Sequence, residues 1–136
     1  MMRFILTRWH IFPVFLWAAL LFFVSALPQT SIPSVGIKFE DLIAHACVYS
    51  VLGYLICLAL FHKRIAVSSG LLWLACTIGV LYGITDEVHQ YFIPSRFSSV
   101  SDAVADAVGI IIGVRLYKIY PSFRWKLRRK ASMVSQ

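Results

Sequence analysis

Residues 68–92 read SSGLLWLACTIGVLYGITDEVHQYF. No Lys, Arg, Asp or Glu occurs in this stretch before Asp86. A helix that crosses a hydrocarbon layer takes about 20 mostly apolar residues, and this run supplies them. It then ends on two adjacent carboxylates and a histidine, Asp86, Glu87 and His89. An ionisable side chain at the bilayer centre costs at least about 2.5–3.5 kcal/mol on insertion scales, so such groups face one another or a polar cavity. The stretch therefore predicts a spanning helix with a site built into its far end. Pro94 stops it.

Three further apolar runs flank it. The first extends from about Trp9 to Leu27, with Pro13 near its start and Pro28 and Pro33 after it. The second extends from about Asp41 to Phe61. The fourth starts after Ser98–Ser101 and ends near Tyr120, before Pro121; Ser98, Ser99 and Ser101 are all good N-cap residues. The whole chain is 136 residues, 60% hydrophobic and 14% charged, with mean hydropathy +0.78. That balance leaves too little polar surface for a soluble domain. The expected fold is all-α, an integral membrane four-helix bundle of residues 1–121 followed by a basic tail, 122–136. The first span also fits a signal peptide, with Arg3 and Arg8 before Ile11–Val24 and a small-residue site at Val24-Ser25-Ala26. Its length and its two tryptophans favour an uncleaved helix.

Orientation follows from charge. Arg3, Arg8, Lys63, Arg64, Arg115, Lys118 and the tail from Arg124 to Lys130 fall on one side if both termini are cytoplasmic. The opposite side receives Lys38, Arg96 and all six acids: Glu40, Asp41, Asp86, Glu87, Asp102 and Asp106. The net charge of +7 sits beside hydrophobic spans, which argues against a nucleic-acid partner. Cys47, Cys57 and Cys76 lie in apolar runs without CxxC spacing and read as reduced packing residues.

Helical spacing gathers the polar residues. Asp41, His45 and Tyr49 recur every four residues and share one face. Tyr82, Asp86, His89 and Gln90 share an arc of about 100°, with Glu87 to one side. Asp102, Asp106, Gly109 and Gly113 form a stripe, and the Gly-xxx-Gly pair allows a second helix to come close. At 1.5 Å per residue, Asp106 lies about 6 Å deeper than Asp102, and Tyr49 about 12 Å deeper than Asp41. The expectation is an outward-opening polar pocket between spans two, three and four, with Arg96 at its rim. Each element also has a plainer role: His45 as a hydrogen-bonding packing residue, Asp102 as a helix N-terminal carboxylate, Arg96 as a neutraliser of the acids.

These residues resemble the VanZ-like family of small bacterial membrane proteins. The likeness is carried by Tyr82-Gly83, Asp86-Glu87-Val88-His89-Gln90, Pro94, Arg96, Asp102, Asp106, Gly109 and Gly113, and by a second block of Asp41, His45, Tyr49, Leu52 and Gly53. This chain has Leu42, Ser95 and Asp106 where the family often has lysine, glycine and asparagine. The resemblance implies a multi-pass protein of the bacterial inner membrane. It also implies a link to teicoplanin resistance, since the family's named member is associated with it.

Two functions follow as expectations. In the first, Asp41, His45, Tyr49, Asp86, Glu87, His89, Gln90, Arg96, Asp102 and Asp106 bind or handle an amphipathic or lipid-linked cell-envelope ligand. In the second, His45 and His89 with Asp86, Glu87 and Asp102 serve a metal-dependent hydrolase or transferase acting on a lipid-linked phosphate or acyl group. The two histidines come from different helices and form no HExxH-type pair, so no resident metal or cofactor is expected. Whether any reaction is catalysed is left open. A packing subunit is a third role, and a transporter a fourth that four spans serve poorly. Membrane lipids are the expected partners, and self-association is open.

Overall fold

The computed structural model describes residues 11–28, 36, 39–61, 67–96 and 98–120. The described residues form four α-helices and no strand: α1 (Phe12–Ser25), α2 (Glu40–Phe61), α3 (Ser69–Tyr91) and α4 (Val100–Ile119). All four match the runs expected from the sequence, except that α2 starts one residue earlier, at Glu40, and α4 starts at Val100, within the serine-rich turn. Lys38, Lys63, Arg64, the first ten residues and the tail from Pro121 lie outside the described residues.

Local chemistry explains the boundaries. Pro13 sits in the first turn of α1, where a missing N–H costs nothing. Glu40 and Asp41 open α2 and Asp102 lies in the first turn of α4, where carboxylates meet the positive end of the helix dipole. Ser99 caps α4: its Oγ accepts from the Asp102 backbone N–H at 3.1 Å. Ser95, at φ +66°, reverses the chain between α3 and α4. An L-residue pays for that conformation and glycine does not.

The most extensive helix contact joins α2 to α4. Gly109 and Gly113 make it possible: a Cβ on either would collide with the α2 backbone at Ala46 or Ser50. Gly53 of α2 faces back, where a Cβ would stand 2.6 Å from the Ile110 carbonyl oxygen. The two backbones thus lie against each other, the packing expected of small residues in membrane helices. The core holds Tyr49, Leu52, Ile56, Cys57, Phe61, Ala75, Ile110, Val114 and Tyr117.

The outer surface is apolar. Phe15, Phe23, Trp73, Leu81, Ile84, Val88, Val104 and Ile111 all point away from the bundle. Burying such groups in hydrocarbon rather than water is favourable by roughly 25 cal/mol per Å². α2 and α3 are long and apolar enough to cross a membrane. α1 is apolar over 14 described residues, and α4 spans 20 residues that include Asp102, Asp106, Arg115 and Lys118. The class defined here is an all-helical bundle with two helices long and apolar enough to cross a membrane.

Candidate functional site

The polar side chains meet in three connected groups at the N-terminal ends of α2 and α4 and the C-terminal ends of α1 and α3. The first centres on Asp86, which is 4% exposed. Its Oδ2 accepts from Ser25 Oγ at 2.6 Å, Tyr49 Oη at 3.0 Å and Gln90 Nε2 at 3.1 Å. Helices α1, α2 and α3 are tied through one oxygen. Three donors on one oxygen fix the rotamer of the carboxylate, whose Oδ1 is buried without a hydrogen-bond partner.

The second group passes through Gln90 to Arg96. Arg96 Nε donates to Gln90 Oε1 at 3.0 Å. Its Nη1 donates to the carbonyls of Leu27 at 3.1 Å and Val24 at 3.3 Å. These carbonyls lie at the end of α1, and that of Val24 also accepts from the Leu27 backbone N–H at 3.1 Å. A planar guanidinium suits such a multiple contact better than an ammonium would. The expected pairing of Arg96 with the acids therefore takes another form among the described residues. Its contacts are an amide and two carbonyls.

The third group joins three helices. His45 Nδ1 of α2 lies 2.8 Å from Asp106 Oδ1 of α4 and 4.0 Å from Glu87 Oε1 of α3. Glu87 is held from the other side: its Oε2 accepts from Ser98 Oγ at 3.0 Å and the Ser99 backbone N–H at 3.2 Å. Asp106 is 1% exposed and Glu87 6%. Glu87 Oε1 and Asp106 Oδ2 are buried without a hydrogen-bond partner.

A cavity of about 760 Å³ opens beside these groups. Trp17, Leu20, Leu21 and Val24 of α1 line it together with Asp41, His45, Asp86, Gln90, Arg96 and Asp102. The pocket expected between spans two, three and four thus has the first helix as a further wall. Trp17 Nε1 donates to the Val48 carbonyl at 3.0 Å and Tyr82 Oη to the Ala18 carbonyl at 2.6 Å, pinning that wall. Asp41 is exposed on the cavity lining and Asp102 is half-buried there. His89 stands apart. Its ring stacks on Phe22 at 4.3 Å between centroids, 14° from parallel.

Ser25, Ser98 and Ser99 hold Asp86 and Glu87 in place without having been singled out as site residues from the sequence. Ser25 carried a signal: it is the one Ser or Thr between Ile11 and Leu27, and an isolated hydroxyl in an apolar span has to find a partner.

The described residues thus place a buried carboxylate network at one end of a four-helix bundle, two of whose helices are long and apolar enough to cross a membrane. The chain belongs to the VanZ/LLP1 family, whose model matches residues 1–121. No curated protein and no solved structure matches it.

Proposed function

We propose that this VanZ-like protein is a multi-pass protein of the bacterial inner membrane, both termini cytoplasmic, that holds a lipid-linked or amphipathic cell-envelope ligand in its outward-facing cavity. The observation that carries this reading is the two-sided lining of the cavity. Leu20, Leu21, Val24 and Val48 offer an apolar surface to a tail, while Asp41, His45, Asp102 and Arg96 offer hydrogen-bonding groups to a head. Pockets that orient a ligand combine such apolar walls with a few convergent polar groups. Asp41, Asp86, Glu87, Asp102 and Asp106 all lie toward one end of the bundle, and Arg115 and Lys118 toward the other end of α4. The positive-inside rule then assigns the acidic end to the outer face. An effect on teicoplanin sensitivity would follow from contact with a cell-wall precursor or with the drug's lipid tail.

The test is native mass spectrometry of protein purified in mild detergent. A single amphiphile should remain bound per chain, and Val24→Trp, which fills the cavity from α1, should remove it. Wild-type protein that carries no adduct from a lipid extract of its host, or an adduct unchanged by Val24→Trp, would defeat the reading.

A further inference from the structure

The geometry points to a divalent-cation site formed by His45, Glu87 and Asp106. One ligand atom from each lies within 4.8 Å of the others. The observed separations from His45 Nδ1, 2.8 Å to Asp106 and 4.0 Å to Glu87, bracket the about 3.3 Å between ligand atoms around a tetrahedral ion bound at about 2.0–2.1 Å. Small side-chain rotations would equalise them.

The unsatisfied atoms argue for a ligand. Glu87 is 6% exposed and its Oε1 has no hydrogen-bond partner; Asp106 is 1% exposed and its Oδ2 has none. Buried charges are normally paired or coordinate a metal. Among the described residues neither carboxylate has a Lys or Arg partner, and Arg96 is engaged with Gln90 and two carbonyls. A dication would balance the charge of two ionised carboxylates beside a neutral imidazole.

The supporting shell is also present. Ser98 and the Ser99 N–H hold Glu87 Oε2 and so aim Oε1 at His45. Ligating carboxylates are commonly oriented in this way by outer hydrogen bonds. One imidazole with two carboxylates is a donor set for a first-row ion such as Mn²⁺ or Zn²⁺. Three protein ligands leave coordination positions free, and His45 is the member that lines the cavity. The sequence concealed the triad because its members come from α2, α3 and α4. Cation binding does not depend on the amphiphile reading, and a lipid adduct measured by mass does not depend on the cation.

The test uses full-length protein in detergent, stripped with chelator and titrated with Mn²⁺ under electron paramagnetic resonance. The expected result is one bound Mn²⁺ per chain, displaced by Zn²⁺, with a histidine ¹⁴N coupling in the electron spin echo. Glu87→Gln and Asp106→Asn should each weaken binding by at least about tenfold. The triple variant His10→Ala, His62→Ala, His89→Ala leaves His45 as the sole histidine and should keep the ¹⁴N coupling. Folded wild-type protein that binds neither ion stoichiometrically at millimolar concentration would overturn the proposal. So would a ¹⁴N coupling absent from the triple variant, or an affinity unchanged in both carboxylate variants.

Discussion

Ser25 Oγ lies 2.6 Å from Asp86 Oδ2, so the first helix is bonded directly to the carboxylate at the centre of the site. Ser25→Ala removes this bond and leaves Asp86 with Tyr49 and Gln90 as donors. An intramolecular hydrogen bond contributes about 0.5–1.5 kcal/mol net, and a buried partner left unsatisfied costs about 1–3 kcal/mol. Ser25→Ala should therefore lower the melting temperature of the purified protein measurably, and Ser25→Thr should restore most of the loss. An unchanged melting temperature in Ser25→Ala would mean that the bond contributes nothing.

Arg96 anchors the end of α1 through the carbonyls of Val24 and Leu27. Arg96→Lys keeps the charge and loses the planar fork. It should insert normally, keep most of its thermal stability and lose the cellular phenotype of the wild type, such as altered glycopeptide sensitivity. Glu87→Gln keeps an acceptor for Ser98 and Ser99 and should behave in the same way. Complementation of a deletion strain checks both. Two variants with wild-type phenotype would refute the site assignment. Two that fail to accumulate would favour a purely structural network.

Gly113 admits the Ser50 carbonyl where a side chain would otherwise stand. Gly113→Leu should force α2 and α4 apart. Overpacking of this kind costs about 1–3 kcal/mol or more, and here the obstacle is backbone, which cannot rotate aside. Gly70→Leu is the control, since nothing lies within 4 Å of a Cβ there. Expression and thermal stability should drop for the first and hold for the second.

Ser95 has φ +66°. The left-handed conformation costs an L-residue roughly 1–2 kcal/mol, and the entropy of an unfolded glycine offsets about 0.5–1 kcal/mol of the gain on substitution. Ser95→Gly should thus be neutral or stabilising by up to about 1.5 kcal/mol, and Ser95→Val destabilising. A Ser95→Val protein as stable as Ser95→Gly would contradict the conformational argument.

Much of this architecture was legible in the sequence because it depends on periodicity within single helices. The apolar runs locate α1 to α4. The four-residue spacing of His45 and Tyr49 places their rings parallel, 4° apart, and the spacing of Asp86 and Gln90 puts them in hydrogen-bond contact. Ser99, one of three cap candidates, caps α4. What periodicity could not supply is which faces meet. His89 shares the arc of Asp86 yet turns to Phe22 of α1. Arg96 meets carbonyls because the end of α1 lies beside it. The His45–Asp106 contact joins residues 61 positions apart, and no local pattern announces it.

Ala44 reports whether the cavity opens outward and admits an amphiphile. It is exposed on the cavity lining. Ala44→Cys, with Cys47, Cys57 and Cys76 replaced by alanine, would be treated with an impermeant maleimide in cells whose outer barrier has been opened. Labelling from outside is expected without lysis of the inner membrane, and a polyprenyl phosphate added to the purified protein should slow it. Labelling that appears only after the inner membrane is broken, or that the polyprenyl phosphate leaves unchanged, would rule out an outward-opening amphiphile cavity.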